Sequence, residues 1–338
     1  MEPTVNHQLR LAARPVGLPT DRDWEFTEEE VRDPGPGEVV VRVRYLSLDP
    51  AMRGWMNDAR SYVPPVGLGE VMRAGGVGEV LASNDPALSV GDQVTGLTGA
   101  QEYATLPASA LTRIDTRLAP APVWLNTLGM PGMTAYFGLL EIGRPEPGQT
   151  VLVSGAAGAV GGAVGQIAKL KGCRAVGIAG GPEKCRHVVE TLGFDAAIDY
   201  KSEPLYPAVR RECPDGVDVY FDNVGGETLD VALAQLTRGA RVVICGAISQ
   251  YNATEGMRGP ANYMSLLVNR ATMTGFLVFD FADRYAEGIR QMGQWLAAGE
   301  LKSVEDIATG GIAQFPGTLL RLFRGENLGK LVLEVSPS

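Results

Sequence analysis

The feature that most restricts how this 338-residue chain can fold is a short apolar strand running straight into glycine. Residues 150–154 read Thr-Val-Leu-Val-Ser, and Gly155-Ala156-Ala157-Gly158-Ala159-Val160-Gly161 follows without a break. Near-continuous apolar strands of this kind are buried on both faces, as in parallel sheets. From 158 to 171 the residues Val160, Val164, Ile167, Ala168 and Leu170 recur at helical spacing. Strand, small-residue turn and helix leave unpaired N–H groups facing whatever sits before the helix, which suits a pyrophosphate. Gly158 would let a ligand approach the backbone, and Gly161 would let the helix pack on the strand. A second strand at 174–178 favours this reading over a tight turn that binds nothing.

At roughly 100–200 residues per domain, two domains are expected. The first 125 residues read as β-rich, with strands at 38–48, 75–81 and 93–97, and the proline-punctuated stretch 107–122 as a boundary region. Further on, strands at 217–222, 241–246 and 272–279 alternate with helices, one at 285–298, giving a doubly wound parallel sheet. The lone strand at 330–335 should return to the first domain. The expected division is 1–125 with 311–338 for the β-rich domain and 126–310 for the other.

With 45% hydrophobic and 20% charged residues, a sizeable core is available. Thirty Lys and Arg against 39 Asp and Glu leave a net charge of −9. Such a surface, without long runs of one sign, argues against nucleic acid or an anionic membrane as partner. The apolar stretch 151–168 holds five glycines, so it reads as turn and helix and not as a membrane span. The chain start, Met1-Glu2-Pro3-Thr4, has no basic or apolar leader, and the four cysteines form no C-x-x-C pair; a reduced cytoplasmic chain is expected. With two histidines, His7 and His187, and four scattered cysteines, the chain does not easily assemble the three or four Cys and His ligands of a zinc site, so none is expected.

A site for NAD usually places an acid about 20 residues past the glycines, on the ribose hydroxyls. Here the second strand ends in Ile178-Ala179-Gly180-Gly181-Pro182-Glu183-Lys184. Two glycines, a proline suited to a helix start and Lys184 suit a 2′-phosphate, a dianion that wants donors and a cation. NADP is therefore the expected cofactor. The alternatives are a surface role for Lys184 and a dipole role for Glu183 in the first helical turn.

Taken together with Phe221-Asp222-Asn223-Val224-Gly225-Gly226, Cys245-Gly246-Ala247-Ile248-Ser249-Gln250-Tyr251-Asn252 and Glu326-Asn327-Leu328-Gly329-Lys330, the glycine turn resembles the zinc-independent medium-chain dehydrogenases/reductases. Within them it is similar to the prostaglandin/leukotriene reductases and the alkenal and curcumin double-bond reductases. The resemblance spans nearly the whole chain and implies an α/β fold, a Rossmann doubly wound parallel sheet plus a β-rich GroES-like domain. It implies NADPH-dependent reduction of the carbon–carbon double bond of small apolar α,β-unsaturated carbonyl compounds, by a homodimer. Matched motif by motif, it implies cofactor contacts at Ala157, Gly158, Ala159, Val160, Gly161, Lys184, Tyr200, Asn223 and Cys245, Gly246, Ala247, Ile248 and Ser249. Phe276, Leu277 and Val278 would lie beside the nicotinamide, and Asn327 would reach it from the C-terminal segment. The stretch 47–54 matches the family's substrate-side loop, with Ala51 where Tyr is common.

Hydride delivered to the β-carbon of an enone leaves charge on the carbonyl oxygen, and a well-aimed donor there is worth about 3–4 kcal/mol. Tyr251 is the candidate, since a phenol with a pKa near ~10 is protonated at neutral pH; its alternative is a packed aromatic. Arg53 could hold a substrate carboxylate or make a surface ion pair, and Tyr62 could line the pocket. Asn223 could instead cap a helix or form an Asx turn, Asn327 could be turn chemistry, and Cys245 an inert buried thiol. Two other functions stay open at this point: a quinone reductase, and a catalytically silent NADPH-binding protein.

Overall fold

The computed structural model describes residues 4–335; residues 1–3, on which the reading of the chain start depends, and 336–338 lie outside the described residues. Two compact units emerge. One runs to Leu125 and resumes at Glu305, and the other is Asn126–Val304.

The first unit opens with β1 (Val5–Leu11) and β2 (Trp24–Glu30), paired antiparallel from Val5 opposite Glu30 to Leu11 opposite Trp24. Then come β3 (Glu38–Ser47), α1 (Met52–Trp55), β4 (Gly76–Ser83), β5 (Gln93–Gly96), β6 (Tyr103–Pro107) and β7 (Leu111–Arg113). Val39, Val40, Val41 and Val43 of β3 are fully buried, which explains why so apolar a run must be a central strand. β4 lies antiparallel along one edge of β3, followed outward by β5 and β7. β6 covers only the first half of the opposite edge, from Glu38 opposite Pro107 to Arg42 opposite Tyr103.

The second unit begins with α2 (Met130–Phe137), continued by a π turn over Gly138–Gly143. It proceeds through β8 (Thr150–Ser154), α3 (Ala159–Leu170), β9 (Arg174–Ala179), α4 (Pro182–Arg186), β10 (Ala196–Asp199) and α5 (Leu205–Glu212). β11 (Val217–Asp222), α6 (Gly226–Leu233), β12 (Leu236–Ile244), α7 (Met264–Asn269), β13 (Thr272–Gly275) and α8 (Tyr285–Ala297) complete it. The six strands are parallel in the order β10-β9-β8-β11-β12-β13. The chain lays β8, moves outward to β10, then returns to β11 on the other side of β8. Ligands of such sheets bind where the order reverses, beyond the carboxyl ends of the two central strands. β13 is shorter than the expected strand over 272–279. The chain leaves the sheet after Gly275 because the Phe276 ring turns toward Gly138 and Phe221, and a 3-10 helix follows over Val278–Arg284.

β14 (Glu305–Ala308), α9 (Phe315–Arg324) and β15 (Lys330–Glu334) return to the first unit. β15 lies antiparallel along the second half of the β3 edge, from Val332 opposite Ser47 to Glu334 opposite Tyr45, and β14 lies parallel outside it. The re-entry therefore falls at 305, not at 311, because β14 belongs to the same sheet as β15. Phe315, Leu319 and Leu322 of α9 join the core formed by Leu9, Leu11, Trp24, Leu46 and Leu48. Among the described residues no helix is long and apolar enough to cross a membrane.

Candidate active site

The reversal point lies between Ser154, the end of β8, and Asp222, the end of β11. Gly155 has φ +61°, which lets the chain turn sharply out of β8. A methyl group on Gly161 would stand 2.3 Å from the Gly155 carbonyl oxygen, so the close seating of α3 on this turn requires glycine. Gly158 is the extended residue before α3, and Ala159 and Val160 begin the helix. The first-turn N–H groups of α3 thus face the crevice with no side chain at 155, 158 or 161 before them.

Across the crevice, the Asn223 Nδ2 donates to the Ser154 carbonyl at 2.7 Å, and the Asn223 N–H donates to Ser154 Oγ at 2.9 Å. The side chain therefore ties two strand ends together and does not cap α6, whose N-cap is Gly225. The frame beneath it is Asp222, 1% exposed. Its Oδ1 accepts from Tyr220 OH at 2.7 Å, Ser154 Oγ at 3.0 Å, Val224 N–H at 3.0 Å and Gly225 N–H at 2.9 Å. Neither Asp222 nor Ser154 was among the residues expected from sequence. A buried acid closing an apolar strand was the available signal, since such a group must collect donors.

The segment after β12 folds onto this turn. Cys245 and Gly246 donate their N–H groups to the Asp222 carbonyl at 2.9 and 3.1 Å. Ile248 N–H reaches the Asn223 carbonyl and Ser249 N–H the Val224 carbonyl, both at 3.2 Å. Tyr251 then points back: its phenol oxygen accepts from Ala247 N–H at 3.1 Å. Burial, with the Asp222 carboxylate nearby, pushes the Cys245 thiol up to about 12, so it is no nucleophile at neutral pH.

At the far end of the crevice, Gly181 (φ +97°) leads into α4, which carries Lys184. The Asp199 carboxylate at the end of β10 accepts from Gly181 N–H at 2.7 Å and Lys201 N–H at 3.0 Å. A methyl on Gly180 would come within 2.8 Å of the Tyr200 ring and 3.0 Å of the Lys201 stem, so both side chains lie against the Gly180-Gly181 turn. Against the cost of burial, those backbone donors hold the Asp199 carboxyl below its usual range. On the opposite side, the Phe276 ring meets Phe221 edge-on at 6.3 Å, Leu277 is half-buried and Val278 is buried.

The remaining expected residues stand in the first unit. Arg53 is 4% exposed and is not a surface ion pair. Its guanidinium donates to the carbonyls of Pro15 and Gly17, both at 2.9 Å, and to the Asn57 side chain at 2.5 Å. These bonds give it a structural task. Burial, opposed by Asp23, lowers its pKa. Tyr62 is 47% exposed and its oxygen accepts from Trp55 Nε1 at 3.2 Å. Asn327 Nδ2 donates to the Gly329 carbonyl at 2.8 Å, within its own turn. Beside it, Lys330 is buried and donates from Nζ to Asp49 at 2.6 Å and to the Leu48 carbonyl at 2.8 Å, which anchors the 47–54 loop.

Two family models match the chain: residues 7–114 an N-terminal domain of oxidoreductases, and residues 159–296 a zinc-binding dehydrogenase. The donors present do not fit zinc, for among the described residues no three His, Cys, Asp or Glu side chains form a metal-holding group. The chain is 43% identical to the NADPH-dependent curcumin reductase of Escherichia coli, over 98% of this chain and 97% of that one. It is 41% identical to the NADP(+)-dependent 2-alkenal reductase of Nicotiana tabacum, over 99% of each. The crystal structure of CurA from Vibrio vulnificus in complex with NADPH superposes with a TM-score of 0.93 at 43% identity, covering 98% of this chain and all of that one. The chain belongs to the medium-chain dehydrogenase/reductase family, in the branch of the prostaglandin, alkenal and curcumin reductases.

Proposed function

We propose that this NADPH-dependent oxidoreductase reduces the carbon–carbon double bond of small apolar α,β-unsaturated ketones and aldehydes. The glycine turn fits a dinucleotide, because no Cβ occupies the space before α3 at 155 or 158. In this reading Ala157–Gly161 hold the pyrophosphate, and Lys184 and Tyr200 hold the 2′-phosphate. Asn223, residues 245–249 and 276–278, and Asn327 hold the rest of the cofactor. Bound NADPH supplies a hydride.

The observation that carries the proposal is the Tyr251 phenol, turned back onto Ala247 by a loop that is itself fastened to Asn223 and Val224. The Ala247 N–H fixes the oxygen and so orients the O–H. A donor held in this way can stabilise the enolate oxygen that forms when hydride reaches the β-carbon. In the Tyr251→Phe variant, turnover of a simple enone should fall by about 10²-fold. The NADPH dissociation constant should change by less than about threefold, because the phenol is asked only to hold the substrate oxygen. Unchanged turnover, or consumption of quinones in preference to enones, would overturn the assignment.

A homodimer joined along β13 is part of the same proposal. All four β13 residues are exposed at the sheet edge, and Met264, Leu267 and Val268 of α7 are 50%, 70% and 63% exposed. An open edge flanked by apolar side chains is normally paired or covered. All four cysteines are free thiols, which supports a reducing, cytoplasmic setting; recovery of the chain from a secreted fraction would count against it.

A further inference from the structure

Lys201 stands just past β10 and lays its stem against the Gly180-Gly181 turn, with its charge acting on the neighbouring Asp199 carboxylate. Of the two nearest carboxylates in sequence, Asp199 is committed through Oδ1 to the N–H groups of Gly181 and Lys201 itself. Glu203 is held by Arg211 in a two-pronged pair, at 2.7 and 3.0 Å. Among the described residues the Lys201 ammonium makes no ion pair within 4.0 Å, although its stem is fixed against Gly180. Lys184 stands in the first turn of α4, three residues past Gly181.

We infer that Lys201 is a second cation for the 2′-phosphate of NADPH and that Asp199 is the positioning residue that sets it, so the pair at the end of β10 governs the choice of NADPH over NADH. The inference rests on the cofactor reading above. Its chemistry is simple. An ammonium on an exposed turn gains much more from a dianion than from the neutral hydroxyls of a ribose diol. The Asp199 carboxylate would repel that dianion if it faced it unpaired. Bound to two backbone N–H groups, it instead fixes the spacing between the Gly181 turn and the Lys201 stem.

The test needs no substrate. Dissociation constants for NADPH and NADH are measured by the fluorescence of the bound dihydronicotinamide, at low and high salt. Lys201→Gln should weaken NADPH binding about tenfold, the worth of one charged contact, and change NADH binding by less than about twofold. It should also flatten the salt dependence of NADPH binding. Asp199→Asn keeps an acceptor for both N–H groups and should hold or raise the preference for NADPH. Asp199→Ala removes the tie and should lower the preference without a matching loss of NADH affinity. A Lys201→Gln protein that retains the full preference and salt dependence overturns the inference. So does an Asp199→Asn protein that loses the preference as fully as Asp199→Ala. A wild-type chain that binds both cofactors equally overturns the NADPH reading itself.

Discussion

Adding one methyl group at Gly161 should do the reverse of adding one at Gly317, though both lie within helices. At 317, in α9, a Cβ would meet nothing within 4 Å. Alanine there should stabilise the chain by about 0.5–1 kcal/mol, since glycine loses the most backbone freedom on folding. At 161 the new carbon would stand 2.3 Å from the Gly155 oxygen, 2.8 Å from its carbonyl carbon and 3.0 Å from the Ala156 Cα. Ordinary contact starts at 3.4 Å, so the turn would have to retreat by about 1.1 Å. All three obstacles are backbone, which cannot swing aside as a side chain can. Overpacking of this kind costs about 1–3 kcal/mol and outweighs the helix gain, leaving a net loss of about 1–2 kcal/mol. The retreat also moves the first-turn N–H groups of α3 to which we assign the pyrophosphate, so NADPH affinity should fall by at least about tenfold, or ~1.4 kcal/mol. Urea unfolding of Gly161→Ala and Gly317→Ala, with NADPH titrations of both, measures each quantity. Wild-type NADPH affinity in Gly161→Ala, or stability changes of the same sign in both variants, would refute the argument.

Replacing Lys330 with Met should cost about 3–5 kcal/mol of stability, because it strands the buried Asp49 carboxylate. Replacing both members with neutral residues, Lys330→Met with Asp49→Asn, should recover part of that loss in urea melts. A double variant no more stable than the single one would show that the charge is not the cause. The β13 edge predicts that sedimentation finds a dimer at micromolar concentration, and that Met273→Lys with Leu267→Lys yields a monomer. A wild-type monomer, or a dimer indifferent to both changes, removes that interface.

The second unit was largely legible because its strands are apolar and its turns glycine-rich, so β8, β9 and β11 stand where their residues suggest. β2 was not, since four of its seven residues are glutamates. Those charges are tolerable in a strand because Arg10 meets Glu29 across the pair and His7 lies between Glu28 and Glu102. Hydrogen bonding to Glu102, reinforced by its charge, raises the His7 pKa accordingly. The acids that organise the site, Asp222 and Asp199, were also missed: Asp199 is held by backbone N–H groups and Asp222 by two of these together with the hydroxyls of Tyr220 and the distant Ser154, partners that spacing alone does not reveal. Arg53 was not legible as a buried structural cation for a related reason. Its partners are carbonyls 36 and 38 positions earlier, brought close only by the fold. Phe276 ended β13 early because Gly138 leaves a recess for its ring, a match between distant positions.

The shared edge of β3, half closed by β6 and half by β15, has a consequence for synthesis on the ribosome. Asn126–Val304 is continuous and can collapse as soon as it emerges. The N-terminal unit cannot finish, because the hydrogen-bonding groups of residues 45–47 wait for residues 332–334, which are made only after the whole of Asn126–Val304. Until then this hydrophobic strand offers a bare template to any neighbouring nascent chain. Slow translation of codons 305–334 would prolong that exposure, and premature termination there would leave it permanent.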